Sequence, residues 1–281
     1  MDIFSWEQLQ DTSLFLQRYS EMIACGSAIS IGGFDGPHRG HQYLLKKVVE
    51  KAHTWNIPAG VITFRRSPQM RKQQRHYGGD VSTLRMRLQK FEEYGFAFAV
   101  LIDFSEDFAK MSGTAFFDIL MKTVCIKYLA VGSDFSCGYR RDTGVEALRA
   151  FAHTRNFCFD SIDRLYSADG ECISSTVIRR AVECADFARA KEFLGYSFFI
   201  DVKDAHQCMT EQGYRVDLSG GVQILPPAGM YCARCFLLNG TVHTADITYA
   251  GNAFEIVCDH RYTALNTEKQ TIERIELLWR K

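Results

Sequence analysis

The sequence has no excess of charge of either sign. Lys and Arg together number 33, and so do Asp and Glu, so the formal net charge is zero. Because a nucleic-acid-binding surface needs a basic excess, we predict no nucleic-acid partner. No apolar run approaches the length of a membrane span, and the N-terminus lacks the basic start and apolar core of a signal peptide. These absences predict a cytoplasmic protein without membrane association and leave its oligomeric state open.

Several common site signatures are missing as well. The chain contains no GxxxxGK[ST], GxGxxG, HExxH or GxSxG, which argues against the corresponding nucleotide, zinc-protease and serine-hydrolase sites. Its ten cysteines form no compact framework, which predicts reduced, buried thiols. Four of them lie in apolar surroundings: Cys25, Cys125, Cys158 and Cys184. Cys232 and Cys235 form the one CxxC, but no second pair completes a zinc site, so their apolar flanks favour a β-strand.

The pattern of apolar residues predicts an α/β fold with two domains. Between Ser27 and Asp163 helical patterns alternate with five strand patterns, at 28–31, 60–64, 97–102, 128–131 and 157–162. This alternation predicts a parallel sheet with helices on both faces. Two short helices, at about 175–184 and 186–194, then precede short apolar segments and an Asn239-Gly240 hairpin signal. We therefore predict an α/β domain over residues 1–197 and a small antiparallel β-barrel domain over 198–281.

The most informative stretch is GGFDGPHRGH at residues 32–41, which joins the first strand pattern to a helical pattern. Free N–H groups and the positive dipole end at a helix N-terminus attract phosphate. The glycines let the backbone approach that phosphate closely. His38 and His41, three residues apart, can donate from the same side and stabilise charge on a phosphate undergoing displacement. The alternative is an ordinary turn that carries two surface histidines.

These residues carry a family resemblance. His38-Arg39-Gly40-His41 resembles the HxGH signature of the nucleotidyltransferase superfamily, and the longer GGFDGPHRGH resembles the form found in bacterial FAD synthetases. Those enzymes form the N-terminal half of bifunctional riboflavin kinase/FAD synthetase. Four further segments are similar to family segments and follow in the same order: 61–64, 103–112, VGSDF at 131–135 and ISSTVIR at 173–179. The resemblance therefore covers roughly residues 10–197.

The resemblance implies an FMN adenylyltransferase with a Rossmann-like fold, which transfers AMP from ATP to FMN and gives FAD and pyrophosphate with Mg²⁺. In that assignment His38, His41 and Arg179 are catalytic, and Ser175, Thr176 and Arg179 hold the β/γ end of ATP. Asp134 faces FMN and Mg²⁺, with Phe135 beside it. The remaining nucleotide-binding positions are Gly32, Gly33, Phe34, Asp35, Gly36 and Gly40. The residues alone suggest simpler roles. Asp35 is expected to brace the bend, and Asp134 to be an ordinary loop aspartate. Ser175-Thr176 is as readily a helix N-cap as a phosphate site.

The chain departs from the family pattern after its second strand. Where the family has Pro-His-Pro, it has Arg65-Arg66-Ser67-Pro68, the start of a basic loop that also contains Arg71, Lys72 and Arg75. A charge run is usually a solvated face. Its position at the ligand-facing edge of the sheet allows the alternative that Arg65 and Arg66 help to hold FMN or polyphosphate. The family's DFxFG is also altered, to Asp134-Phe135-Ser136-Cys137-Gly138.

The C-terminal residues resemble a riboflavin kinase barrel that lacks the kinase motifs. Residues 225–231, LPPAGMY, are similar to the LPxxGxY stretch of that barrel, but residues 214–218 stand where its GFPTAN motif should be. The chain also ends close to where the family continues to a catalytic glutamate. We therefore predict no riboflavin kinase activity. Two alternatives stay open for the whole protein: a nucleotidyltransferase with a different acceptor, and a non-catalytic flavin or nucleotide sensor.

Overall fold

A computed structural model describes residues 1–11, 13, 17, 20, 24–66, 78–210, 213–257 and 271–281. The chain forms two compact units, one from residues 1–74 and 87–172 and the other from residues 75–86 and 173–281. No helix among the described residues is long and apolar enough to cross a membrane. The cytoplasmic location stays a prediction.

The first unit is built on parallel strands that alternate with helices. In chain order the elements up to residue 162 are β1 (Asp2–Ser5), α1 (Trp6–Gln10), β2 (Ser27–Ile31), α2 (Arg39–Trp55), β3 (Ala59–Phe64), α3 (Leu84–Glu93), β4 (Phe98–Ile102), α4 (Glu106–Lys110), α5 (Gly113–Thr123), β5 (Ile126–Gly132), β6 (Ser136–Cys137), a 3₁₀ turn (Tyr139–Arg141), β7 (Thr143–Gly144), α6 (Val145–Arg155) and β8 (Cys158–Ile162). The larger of its sheets has the order β1-β4-β3-β2-β5-β8. All of its pairings are parallel, which confirms the predicted fold class.

Each face of this sheet is covered by its own apolar core. One core contains Phe98, Phe117 and Leu129, and the other contains Leu45, Phe91 and Tyr128. Because both faces are buried, the central strands are apolar throughout: every residue of β2 and β4 is buried. Strand β2 lies between β3 and β5. The chain therefore leaves β2 for β3 on one side and returns to β5 on the other. Its carboxyl end is the switch point at which open α/β sheets bind ligands.

Side-chain caps begin two of the helices, and some short elements have no signal in the sequence. Thr83 Oγ1 accepts from Met86 N at 3.3 Å before α3, and Ser112 Oγ accepts from Ala115 N at 3.2 Å at the start of α5. Strand β1 and helix α4 were not predicted. Each has only four or five residues, too few for a clear periodicity.

The second unit is mainly antiparallel. Its elements are α7 (Ser175–Glu183), α8 (Phe187–Leu194), β9 (Phe199–Asp201), β10 (Gln207–Thr210), β11 (Gly213–Asp217), β12 (Gly229–Leu237), β13 (Val242–Tyr249), β14 (Ala253–Val257) and β15 (Ile272–Arg280). The strands form a sheet in the order β10-β11-β14-β13-β12-β15-β9, which confirms the predicted antiparallel domain. Asn239-Gly240 lies in the β12–β13 hairpin as predicted, in a loop of four residues rather than two.

The compact units divide the chain earlier than the predicted boundary at residue 197. Helices α7 and α8 belong to the second unit and pack on each other, and α8 also packs on the strands: its Phe187 makes an edge contact with Tyr231 of β12, with ring centroids 5.8 Å apart. As a division between activities, 1–197 and 198–281 stay a prediction.

The expected burial of the thiols is wrong for seven of the cysteines that the structure describes, including all four that were expected in apolar surroundings; Cys137, Cys172 and Cys208 are partly exposed. Cys25, Cys158 and Cys184 are exposed and Cys125 is partly exposed, because these residues lie at the ends of strands and helices rather than within them. Cys232 and Cys235 are buried in β12, as the strand interpretation of the CxxC predicts. All the cysteines that the structure describes are free.

Candidate active site

The glycine-rich turn lies at the carboxyl end of β2, as its sequence predicts. Phe34 is buried at φ 45°, and Gly36 has φ 54°, so the backbone reverses within a few residues. A Cβ on Gly40 would come within 3.3 Å of the His38 ring, which explains the glycine between the two histidines. Gly32 lies under the Phe34 ring in the same way, whereas a Cβ on Gly33 would meet no atom within 4 Å and would face open space. Asp35 is buried beside them, and its bracing role stays a prediction.

The two histidines form a stacked pair. Their ring centroids are 3.7 Å apart, with an interplanar angle of 20°. His38 is the N-cap of α2, and its Nδ1 accepts from His41 N at 3.3 Å. Because Nδ1 accepts this bond, the neutral His38 ring carries its proton on Nε2. Phe34 packs edge-on against His41 with centroids 5.3 Å apart. The alternative of two surface histidines is therefore wrong for His38, which is 6% exposed.

Burial keeps both rings uncharged. It lowers the pKa of His38 to about 4. It also lowers the pKa of His41 well below its usual value, with a further contribution from His38 and an opposing hydrogen bond to the Gly36 backbone. Within the described residues, His41 Nδ1 is buried without a hydrogen-bond partner. At neutral pH the pair is therefore two neutral imidazoles, and the hydrogen-bonding capacity of His41 Nδ1 is not used by the described residues.

A residue that the sequence did not single out fixes the turn. Arg87 of α3 is 2% exposed, and its Nη1 donates to the Gly33 carbonyl at 3.0 Å and to Thr63 Oγ1 at 3.3 Å. Its Nη2 donates to the Arg65 carbonyl at 3.1 Å. Thr63 Oγ1 in turn donates to the Gly33 carbonyl at 3.1 Å. The guanidinium thus joins the glycine turn to the end of β3, because it bonds backbone carbonyls from both.

A cavity of about 500 Å³ opens beside this turn. Part of its wall is aromatic, since Phe34, Phe64, Phe104, Phe108, Phe116 and Phe135 are among the lining residues. His41, Gly32 and Gly33 belong to the same wall. Behind it, Trp6 packs on Phe108 and Phe116 with centroid distances of 5.5 and 5.2 Å. The structure therefore brings the predicted residues His41 and Phe135 to one cavity, which can enclose a flat apolar ring system.

The predicted metal residue Asp134 is also at this cavity. It follows β5, is exposed, and accepts a hydrogen bond from Arg164 Nη2 at 2.7 Å. No group of three or more His, Cys, Asp or Glu side chains among the described residues is arranged to hold a metal ion. Asp134 is thus a single carboxylate, engaged by an arginine.

Arg65 and Arg66, the basic residues after β3 that the structure describes, are not among the residues that line the cavity. Arg65 Nε donates to Asp103 Oδ2 at 3.1 Å, and Arg66 is exposed. Arg71, Lys72 and Arg75 of the basic loop lie outside the described residues. A contact of Arg65 or Arg66 with FMN stays a prediction.

Ser175, Thr176 and Arg179 lie in the second compact unit. The N-cap of α7 is Ser174, whose Oγ accepts from Val177 N at 3.4 Å. The predicted capping role of Ser175-Thr176 is therefore wrong, and both belong to the first helical turn. Arg179 is buried, and its Nε donates to the Gly79 carbonyl at 2.8 Å. Their contact with ATP stays a prediction.

Comparison with known proteins identifies the family. The family model for FAD synthetase matches residues 20–177, which include the glycine-rich turn, both histidines and Asp134. The chain belongs to the FAD synthetase family. Membership confirms the family predicted from the HxGH motif and the predicted class of enzyme, a nucleotidyltransferase.

Curated relatives agree with this family assignment, and a solved structure shares the fold. The chain is 26% identical to "Bifunctional riboflavin kinase/FMN adenylyltransferase" of Buchnera aphidicola, over 83% of this chain and 72% of that protein. It is 31% identical to the Escherichia coli protein of the same name, over 64% of this chain and 58% of that one. The crystal structure of "Macrolide-efflux Protein from Streptococcus pneumoniae" is similar in fold, with a TM-score of 0.72, 21% identity and coverage of 90% of this chain and 92% of that one.

The depressed pKa of His38 makes stability depend on pH. Between pH 6.5 and about 4 the unfolded chain binds a proton at this position and the folded chain does not, so stability falls as pH falls through that window. The contribution lost between pH 7 and pH 5 is about 2 kcal/mol. His38→Asn keeps a good N-cap but removes the titration. We expect denaturant unfolding of this variant to show a correspondingly weaker loss of stability from pH 7 to pH 5. An equal loss of unfolding free energy from pH 7 to pH 5 in the two proteins would contradict the lowered pKa of His38.

Proposed function

We propose that the protein transfers AMP from ATP to FMN, which gives FAD and pyrophosphate. The observation that carries the proposal is the stacked pair His38–His41 beside an aromatic cavity of about 500 Å³ at the carboxyl end of β2. The glycine-rich turn and the first turn of α2 suit a polyphosphate, and the aromatic wall suits the ring system of a flavin. The histidine pair and the aromatic cavity both belong to the first compact unit.

The reaction needs positioning and charge stabilisation rather than a nucleophile from the protein. A phosphate oxygen of FMN forms a bond to the α-phosphorus of ATP, and the bond from that phosphorus to the bridging oxygen breaks, so that pyrophosphate leaves. Negative charge grows on the α-phosphate oxygens at this point. His38 Nε2–H and the ring of His41 are the groups assigned to stabilise it. Neutral imidazoles can serve this role because a hydrogen-bond donor needs no net charge.

Mg²⁺ fits the site as an ion carried mainly by the substrate. Magnesium bound with nucleotides usually takes one or two carboxylates and completes its shell with phosphate oxygens and water. Asp134 provides one such carboxylate at the cavity, and binding would replace its bond to Arg164. The ion would neutralise charge on the phosphates, and the protein would contribute the position of Asp134.

Two other functions compete with this one. A different acceptor would keep the histidine chemistry, but the six phenylalanines of the cavity favour an aromatic acceptor over a polar one. A non-catalytic sensor would bind ATP or flavin without turnover. Incubation with Mg²⁺-ATP and FMN separates them: flavin fluorescence falls as FAD forms, and chromatography identifies the product. Binding of flavin without formation of FAD would support the sensor. Binding of ATP without binding of flavin and without FAD would support a different acceptor.

The assignment of His41 predicts a large loss of turnover on its removal. His41→Ala should lower kcat by about 10²-fold or more, because one stabilising group is lost from the transition state. His53→Ala is a matched control, since His53 is an exposed histidine in the last turn of the same helix. Circular dichroism and FMN binding should be retained in both variants. Unchanged turnover in a folded His41→Ala protein would remove this residue from the mechanism.

The assignment of Arg179 predicts a selective loss of ATP affinity. Arg179→Ala should weaken ATP binding by about 1.5–3 kcal/mol, because a charged hydrogen-bond partner is removed, and should change FMN binding little. Arg180→Ala, the exposed neighbour in α7, is the control. Calorimetric titration with each substrate measures the difference. Since Arg179 also anchors the Gly79 carbonyl, equal losses of ATP and FMN affinity would indicate a structural role.

We further propose that the chain has no riboflavin kinase activity. The segment that stands in place of the GFPTAN motif forms β11, which is paired with β10 on one side and β14 on the other. Its backbone groups are thus used in the sheet rather than offered to a phosphate. The Asp217 carboxylate accepts from Ser219 N at 2.9 Å, a bond that holds the Asp217 pKa below its usual value. Arg215 is paired with Glu255 across the strands.

Riboflavin with Mg²⁺-ATP should therefore give neither FMN nor FAD in a chromatographic assay. The same preparation supplied with FMN should make FAD, which shows that the protein is active. Product from riboflavin at a rate proportional to protein concentration would overturn the proposal.

A further inference from the structure

The turn between β6 and β7 holds two arginines in an unusual conformation. Arg140 has φ 55° and Arg141 has φ 62°, in the left-handed region that residues with a side chain rarely adopt. Gly138 precedes them with φ 80°. Strained backbone of this kind persists only where contacts with the surrounding structure hold it in place, and it occurs often at ligand sites. Specific contacts must therefore hold this turn in its conformation.

Hydrogen bonds from α5 and its N-terminal flank fasten the turn. Tyr139 N donates to the Met111 carbonyl at 2.8 Å. The Asp142 carboxylate accepts from Gly113 N at 3.0 Å and from Thr143 Oγ1 at 2.9 Å. These bonds hold the main chain on both sides of Arg140 and Arg141, so the direction in which the two side chains leave the turn is fixed.

The two arginines leave the turn toward different surroundings. Arg140 lies over the Tyr139 ring, 5.1 Å from its centroid, and does not line the cavity. Arg141 lines the cavity together with His41 and Asp134. Its Nε donates to Ser136 Oγ at 2.7 Å. Within the described part of the chain its two terminal nitrogens have no hydrogen-bond partner, so the fork of the guanidinium is left for a ligand.

The charges around the cavity indicate which part of a ligand this fork would take. Of the cavity-lining residues that the structure describes, Arg141 alone carries a permanent positive charge. His41 is neutral at neutral pH because burial lowers its pKa, and Asp134 is an acid. The aromatic wall provides apolar contact for a ring but no counter-charge for a phosphate. A planar guanidinium with two free nitrogens matches a phosphate in bidentate fashion.

We propose that Arg141 binds the 5′-phosphate of FMN and thereby selects FMN over riboflavin. This inference rests on the proposed function, because it takes FMN as the acceptor. Arg141 orients the attacking phosphate through its terminal nitrogens, while Ser136 Oγ and the fastened turn fix the guanidinium. It is thus a specificity residue for the acceptor.

The test compares the affinities of the whole protein for FMN and for riboflavin without ATP, measured by flavin fluorescence. Arg141→Met should weaken FMN binding about 10- to 100-fold, the effect of losing a charged hydrogen-bond partner, and leave riboflavin binding within about 2-fold. Arg141→Lys should lie between the two, since a lysine keeps the charge but not the fork. Arg140→Met is the matched control, with the same change of charge in the same backbone conformation, and should alter neither affinity.

Each other outcome identifies a different failure. Equal losses for FMN and riboflavin would mean that Arg141 contacts the ring, and unchanged FMN affinity would mean that it contacts no ligand; either result overturns this inference. Equal effects of Arg140→Met and Arg141→Met would show a diffuse charge effect and would also overturn it. Failure of the unsubstituted protein to bind any flavin would instead count against the proposed function.

Discussion

The hydrogen bonds of one buried guanidinium position the rest of the site. Arg87 joins the Gly33 carbonyl to Thr63 and to the Arg65 carbonyl, so the glycine-rich turn cannot move independently of β3. The turn in turn sets where α2 begins and where the histidine rings stack. A buried charge that loses part of its hydrogen bonding is strongly destabilising. These hydrogen bonds therefore oppose movement of the turn, and they keep the two histidines at fixed positions.

Much of the first unit could be predicted from local patterns. The strands were found because buried parallel strands are short apolar runs, and the turn was found because glycines and two histidines follow β2 directly. The pairing of His38 with His41 followed from their spacing. Their stacking and their neutral state could not be predicted, because both depend on burial and on Phe34, whose packing is a property of the fold.

The residues that were missed show where sequence reasoning stops. Arg87 lies within a helical pattern, where a charged residue usually faces solvent. Its spacing from Leu84 and Phe91 nevertheless places it on the apolar side of α3, and a charge at a core position was the signal that could have found it. Arg141 offered no such signal, because its left-handed backbone and its place at the cavity depend on contacts with residues 111–113. Short elements such as β1 and α4 are fixed by tertiary contacts as well.

The aromatic wall of the cavity connects it to the interior of the protein. Phe108 and Phe116 line the cavity on one side and contact the indole of Trp6 on the other. Trp6 is buried, whereas Trp55 and Trp279 are exposed. Tryptophan emission overlaps the absorption of flavins, so a flavin bound in the cavity, as proposed, would accept excitation from this indole across a single layer of side chains. Because Trp6 is buried, its emission would lie at shorter wavelength than that of the two exposed tryptophans.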